Sequence, residues 1–253
     1  MTDRVAGRDP VEGPGAKDAR SVRDEGGYNQ GWMGGLATQV RGERRARLLS
    51  ETMTSGPSRQ VLEIGCGRGE IACQIAEATG MQVLGIDRSP AFVEEARSKA
   101  SQPNVRFEVM DFTRPEDLQG RTFDYAVGNG ILHHLYYNLP ESLGAIRDLL
   151  AVGGQIMFLE PNLHNPYVYA IFSRASLRRW AKLEPDEMAF SRRFITSQLT
   201  QVGFSEIDVG YRDFLLPGVP EWMIKPSIRV GDVAEETPGL KHLAQSLFIR
   251  ARR

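Results

Sequence analysis

The sequence predicts an α/β fold, with a doubly wound, mostly parallel sheet and helices on both of its faces. After Pro57 the chain alternates apolar runs of strand length with amphipathic helical patterns, the signature of strand–helix–strand units closing into a parallel sheet. The first apolar run, VLEI at 61–64, opens directly on the glycine turn GCGRGE at 65–70, where backbone must approach a ligand at the carboxyl end of a sheet. At 253 residues, 41% hydrophobic and 25% charged, the chain suits one compact domain with a substantial core.

Taken in order, residues 1–26 are rich in Gly, Asp and Arg and poor in large apolar side chains, so they are expected to form a disordered tail that cannot repay the entropy of ordering. Residues 27–56 place Trp32, Met33, Leu36, Val40, Leu48 and Leu49 among arginines, which predicts an amphipathic helix or two able to cover a site. The main domain is expected over 57–253. Its strands are VLEIG, VLGID, VRFEVMD, FDYAVGNG and QIMFLEP, and its helices IACQIAEATG, SPAFVEEARSKA and PESLGAIRDLLAVGG. Ser89 before Pro90 is a helix start, whereas Gly80 and the Gly153–Gly154 pair are helix stops. An aromatic and basic insert follows at 162–190, then the capped helix SRRFITSQLTQVGF ending at Gly203. Two further strands, SEIDVGYRDF and SLFIRA, flank a Pro-rich insert at 216–240.

Composition narrows the function. Lys plus Arg total 31 against 32 Asp plus Glu, so no bulk positive field exists to hold DNA or RNA, and no nucleic-acid partner is expected. The two cysteines, Cys66 and Cys73, are too few for a disulfide framework and have no metal-ligand spacing; no metal is expected. The opening MTDRVAGRDPVEGPG has no apolar core for secretion, and no apolar run approaches the roughly 20 residues of a membrane span. A cytoplasmic monomer or homodimer acting on a small molecule is the simplest expectation.

The glycine turn discriminates among nucleotide ligands. A dinucleotide fingerprint started at Gly65 needs a small residue at position 70, where this chain has Glu70, so NAD and FAD fit poorly. Asp87 closes the second strand in VLGIDRS, where a carboxylate can accept both hydroxyls of a ribose. Glu63 in an apolar strand needs a partner if buried. Cys66 beside the turn reads as a small buried residue.

Over roughly residues 58–210 the chain resembles the class I S-adenosylmethionine-dependent methyltransferases, in their small-molecule, methyltransferase type 11-like branch. Glu63, Gly65, Gly67 and Gly69 match that family's E-x-G-x-G-x-G loop, and Asp87 its ribose-binding acid, with Arg88 beside it among the cofactor contacts. Asp111 and Phe112 match the positions that read the adenine. Asn129 and Gly130, in VGNGILHHL, match the loop lining the sulfonium side. LLAVGGQIMFLEPN matches the helix, Gly–Gly turn and fifth strand. The resemblance implies a Rossmann-like seven-stranded sheet with a small helical lid or insert, S-adenosylmethionine as cofactor and S-adenosylhomocysteine as product.

Methyl transfer from a sulfonium needs mainly alignment and exclusion of water. A hydroxyl acceptor also benefits from a general base, and His133 and His134 follow the fourth strand where the methyl should lie. His134 is preferred, because it matches the single His common at this loop in the resembling family. Tyr28 and Trp32 could close over the site, and Pro166, Tyr167, Tyr169, Phe172 and Trp180 would suit an apolar or aromatic acceptor. Arg174, Arg178, Arg179, Arg192 and Arg193 could pair with an anionic group on it, although a solvated basic face explains them as well. The expected reaction is O-methylation of an apolar, aromatic or anionic metabolite. An N- or C-methyltransferase, a lipid-linked acceptor, or a non-catalytic cofactor-binding scaffold are the alternatives. A nucleic-acid amino-methyltransferase would show an acidic or Asn residue, Pro-Pro and an aromatic where this chain has GNGILHHL.

Overall fold

The computed structural model describes residues 35–114, 117–118 and 120–253. The expected tail at 1–26 and the first part of the expected lid segment, with Tyr28 and Trp32, lie outside the described residues. A helix α1 (Leu36–Thr52) precedes the alternating units β1 (Gln60–Ile64), α2 (Glu70–Thr79), β2 (Gln82–Asp87), α3 (Pro90–Lys99), β3 (Val105–Val109) and β4 (Phe123–Asn129). A 3-10 turn (Leu132–Asn138), α4 (Leu139–Leu149), β5 (Leu150–Pro161), α5 (Pro166–Ser173), α6 (Ala175–Trp180) and α7 (Arg192–Val202) follow. The chain closes with β6 (Ser205–Arg212), α8 (Glu221–Glu236), a second 3-10 turn (Leu240–Leu243) and β7 (Ser246–Arg252).

The seven strands form one sheet in the order β3-β2-β1-β4-β5-β7-β6. Neighbours from β3 to β5 are parallel, and β7 runs antiparallel between β5 and β6. Strand order reverses between β1 and β4, and ligands of such sheets bind outside the carboxyl ends at that switch. The period-2 pattern sorts the strands into two cores. Leu62, Leu84, Ala126, Ile156 and Phe158 face a core with α4 and α7, whereas Val61, Val83, Tyr125, Val127 and Met157 face one with α1 and α2. A strand buried on both faces reads as a continuous apolar run, which is why these segments stand out in the sequence.

Local chemistry sets the boundaries. Ser89 accepts from the Phe92 N–H and Ser191 from the Phe194 N–H, so each caps its helix. Gly80 and Gly203 end α2 and α7 in the left-handed conformation. One expectation is corrected. Gly153 and Gly154 stop no helix: α4 ends before Leu150, and both glycines lie inside β5 beside a register shift against β4. A Cβ on Gly154 would come 2.9 Å from the Ala151 carbonyl oxygen, so close backbone approach explains that glycine. The segment at 216–240 is mostly helix α8, despite Pro226 inside it. Ile224 and Ile228 pack it on Ala37, Val40 and Leu215, and tertiary burial overrides the weak helix propensity.

Gly69 sits at φ +81°, and a Cβ there would lie 2.6 Å from the buried ring of Phe107 and 2.9 Å from Ala96. Gly69→Ala combines left-handed strain with overpacking, so it is expected to cost about 2–4 kcal/mol. Urea denaturation measures this, and a loss below about 1 kcal/mol would show that the turn relaxes.

Candidate active site

The glycine turn leaves the end of β1 with Gly65, Gly67 and Gly69 all at positive φ. The Gly65 and Cys66 N–H groups donate to the Ile86 carbonyl, which fixes the turn against β2. Asp87 braces it further, accepting from the Gly67 N–H at 2.9 Å and the Ser89 N–H at 2.9 Å. A Cβ on Gly67 would meet no atom within 4 Å, so space opens above the middle of the turn. Below it lies Glu63, only 2% exposed, with one carboxyl oxygen lacking a hydrogen-bond partner. Burial pushes the Glu63 carboxyl well above its usual range, against the opposing effect of a hydrogen bond from the Ala72 backbone in the first turn of α2.

Across β2, Arg88 Nε lies 3.5 Å from Asp111. Asp111 also accepts from the backbone and hydroxyl of Thr113, an Asx-type turn that orients the carboxylate. Phe112 packs partly buried against the larger core.

The loop after β4 touches the glycine turn directly. A Cβ on Gly65 would lie 2.8 Å from the Ile131 side chain. Glu160 at the end of β5, only 1% exposed, organises this loop. One carboxyl oxygen accepts the N–H groups of Ile131 at 3.0 Å and Leu132 at 2.8 Å, and the other accepts the His133 N–H at 3.3 Å. That second oxygen also lies 2.9 Å from His133 Nδ1. With three backbone donors already converging on the carboxylate, Nδ1 must be the ring donor, so Nε2 carries the lone pair. His133 Nε2 faces Glu187 at 3.8 Å, and His134 Nδ1 lies 3.4 Å from the same side chain. Burial, and then the neighbouring His133, push His134 down to about 2. Burial pushes the Glu187 carboxyl up.

The loop carrying Glu187 is held from outside. The Arg178 guanidinium donates to the carbonyls of Phe172, Glu184, Pro185 and Glu187, and the Met188 N–H donates to the His133 carbonyl. Tyr136 stacks with Phe194 and Phe190, at ring separations of 5.0 and 5.8 Å, tying the histidine turn to α7.

Helix α1 closes the opposite side. Arg41 and Arg45, one turn apart on one face, both reach Asp213 just past β6, at 3.0 and 2.9 Å. Arg45 also donates to Asn129 at 2.6 Å and to the Ser246 hydroxyl at 2.7 Å. Asn129, at the end of β4, is thus clamped from α1.

The structure therefore brings Glu63, Gly65, Gly67, Gly69, Asp87, Arg88, Asp111, Asn129, Gly130, His133 and His134 to the carboxyl edge of the sheet. Tyr167, in the first turn of α5, is half-buried and feels the charge of Arg41. Arg192 and Arg193 are exposed, with the Arg192 guanidinium 5.9 Å from the Tyr211 ring. Trp180 is 70% exposed, whereas Phe172 is buried. Sequence reasoning missed Glu160, Glu187 and the Arg41–Arg45–Asp213 node. Glu160 had a usable signal, since it ends the apolar run IMFL as Glu63 interrupts VLEI.

Residues 61–154 match the family described as Methyltransferase domain. Aklanonic acid methyltransferase of Streptomyces sp. (strain C5) is 37% identical over 126 residues, 47% of this chain and 54% of that protein. Trans-aconitate 2-methyltransferase of Deinococcus radiodurans is 33% identical over 121 residues, 47% of this chain and 45% of that protein. The chain spans about half the length of these curated relatives. The solved structure of an S-adenosylmethionine-dependent methyltransferase from Archaeoglobus fulgidus has a TM-score of 0.59 at 17% identity, covering 85% of this chain and 94% of that one; at that identity the likeness shows the shared fold. Domain match and sheet order agree: residues 61–154 match a methyltransferase domain, and the seven-stranded sheet has the fold of S-adenosylmethionine-dependent methyltransferases of known structure.

Proposed function

We propose that the chain transfers the methyl group of S-adenosylmethionine to a hydroxyl oxygen of a small aromatic or anionic acceptor, with His133 taking the acceptor's proton. The observation that carries this reading is an adjacency: the glycine turn rests on Ile131, and the same short loop presents His133 in the grip of Glu160.

The residues present fit the cofactor. The unpartnered buried oxygen of Glu63 suits a cationic amino group. Open space over Gly67 leaves room for a chain passing across the turn. Asp87 would hold the ribose, Arg88, Asp111 and Phe112 the adenine side, and Asn129 and Gly130 the wall nearest the histidines. When bound, S-adenosylmethionine supplies a methyl group already activated by its positive sulfur.

The protein's own work is then alignment and proton handling. His133 Nε2 would take the hydroxyl proton as the acceptor oxygen receives the methyl group that the bound cofactor would supply. The resulting imidazolium faces the Glu160 carboxylate through Nδ1. His134, held near 2, is too weak a base for this role, so the geometry favours His133 over the His134 preferred from sequence. The relatives named for aklanonic acid and trans-aconitate support an acidic metabolite as acceptor. A carboxylate needs no base, and the intact Glu160–His133 pair supports a hydroxyl instead. Tyr167 is the acceptor-side contact best placed by its half-burial.

Calorimetric titration with S-adenosylmethionine and S-adenosylhomocysteine tests the cofactor. Micromolar binding is expected, weakened at least about 30-fold by Asp87→Ala and about 10-fold by Glu63→Gln, as expected for losing hydrogen bonds to charged groups. The Glu63 carboxyl is held high in the free protein, so it keeps a proton below that raised value and loses it to solvent when the cationic amino group binds beside it. Binding should release a proton in that pH window and tighten as pH rises through it, and Glu63→Gln should abolish the release. No binding, or binding of NADH instead, would overturn the reading. In a screen of hydroxylated acids and phenols, His133→Ala should cut turnover roughly 100- to 1,000-fold with cofactor affinity kept; unchanged turnover would remove the base.

A further inference from the structure

The buried cluster beside the loop after β4 has a geometry that hydrogen bonding does not explain. One ring nitrogen each of His133 and His134 and a Glu187 carboxyl oxygen all lie within 4.8 Å of one another. The separations are 3.8 Å from His133 Nε2 to Glu187 Oε2 and 3.4 Å from His134 Nδ1 to Oε1, which also accepts the Glu184 N–H at 3.2 Å; both are at or beyond the long end of a useful hydrogen bond. They approach the edge of a coordination tetrahedron instead: ligand bonds of about 2.0–2.1 Å set neighbouring ligand atoms roughly 3.3–3.5 Å apart. Glu187 is 1% exposed, and its Oε2, the oxygen facing His133, has no hydrogen-bond partner. Such a buried oxygen is costly unless something cationic meets it.

The surroundings are those of a metal ligand set. His133 donates Nδ1–H to the Glu160 carboxylate at 2.9 Å, the carboxylate–histidine arrangement that fixes the tautomer and raises the basicity of the metal-bound nitrogen. The His133 and His134 rings lie 4.1 Å apart with a 34° tilt. The Glu187 loop is pinned by Arg178 through three of its carbonyls, those of Glu184, Pro185 and Glu187, and by the Met188 N–H, so the third ligand is placed in advance.

We propose that His133 Nε2, His134 Nδ1 and Glu187 form a three-ligand site for a borderline divalent cation of the Zn2+ type. Two imidazoles and one carboxylate is a donor set that such ions take, with the fourth position left to water or to an acceptor oxygen. Sequence spacing gave no such signal and led to the expectation of no metal, because the carboxylate arrives from a distant loop. The site stands independently of the reaction. One consequence rests on the proposed function: a cation on His133 Nε2 uses the lone pair that would take the acceptor's proton, so Zn2+ should inhibit methyl transfer and a chelator restore it.

The full chain, stripped with chelator, would be titrated with Zn2+ by calorimetry and with Co2+ by visible absorption. The expected result is one equivalent bound, with the intense d–d bands of four-coordinate Co2+. Glu187→Gln, which preserves volume, and His134→Ala should each weaken binding at least tenfold, with circular dichroism confirming that they fold. A variant replacing both His164 and His242 should bind as the native chain does. Absence of the four-coordinate spectrum, or binding unchanged in Glu187→Gln, would overturn the site. A protein that binds S-adenosylmethionine but no Co2+ sinks this inference alone; one that binds Co2+ but no S-adenosylmethionine sinks only the methyl-transfer reading.

Discussion

Glu160→Gln is expected to lower turnover at least about 100-fold and to destabilise the fold by about 2–4 kcal/mol, from one atom exchanged in a buried side chain. Each carboxyl oxygen of Glu160 serves two donors: Ile131 and Leu132 N–H on one side, His133 N–H and Nδ1 on the other. A glutamine must turn its NH2 toward one of these pairs. Turned toward Ile131 and Leu132, it opposes two backbone donors and loosens the 3-10 turn. Turned toward His133, it makes Nδ1 the acceptor, moves the ring proton to Nε2 and removes the lone pair that would act as base. Nitrogen-15 shifts of the His133 ring distinguish this tautomer exchange from simple loss of stability, and urea denaturation gives the second quantity. Turnover within about threefold of the native value, with the ring shifts unmoved, would show that Glu160 only caps the turn.

Asp213→Ala is expected to cost about 3–5 kcal/mol, the scale for removing one partner of a buried ion pair. Asp213 takes both Arg41 and Arg45, whose side chains are 15% and 14% exposed. Burial, and then its neighbour Arg41, lower Arg45 to about 10, still well above neutral pH, so its loss of Asp213 leaves a charge in place. The exposed pair between Arg44 of the same helix and Asp232 of α8 is the control: Asp232→Ala should cost less than about 1 kcal/mol. The pH dependence has a definite sign. Burial raises Asp213, and the charges of Arg45 and Arg41 outweigh it, holding the carboxyl below its usual range. The pair therefore contributes its stability above the unfolded carboxylate value, and loses it as pH falls through the lower folded value. Acid denaturation of the native chain should be steeper than that of Asp213→Ala over that window. Because Arg45 also holds Asn129, the variant should weaken cofactor binding as well.

Most of the fold was legible because its signals are local. Apolar runs of strand length, Ser89 and Ser191 as caps, and Gly80 and Gly203 as stops are each decided within a few residues. A misreading arose where one local signal serves two structures. Gly153–Gly154 looks the same whether it ends a helix or lets two strands approach, and only the neighbouring carbonyls of Phe123 and Asp124 decide between them. Pro226 disfavours helix by propensity, yet α8 forms around it because Ile224 and Ile228 find a surface on α1 and the chain after β6.

The site divides along the same line. The sequence alone determined where the glycine turn, Asp87 and Asp111 gather, since they follow successive parallel strands, and parallel strands place their carboxyl ends at one edge. It also placed two histidines at that edge. Only the tertiary structure decided what those histidines are: that His133 is oriented by Glu160, that His134 is buried beside Glu187, and that α1 is locked by Asp213. Those partners meet across strands and loops far apart in the chain. Side-chain charge pairing carries no fixed spacing along a sequence, so it is settled only when the sheet order and the loops bring the groups within reach.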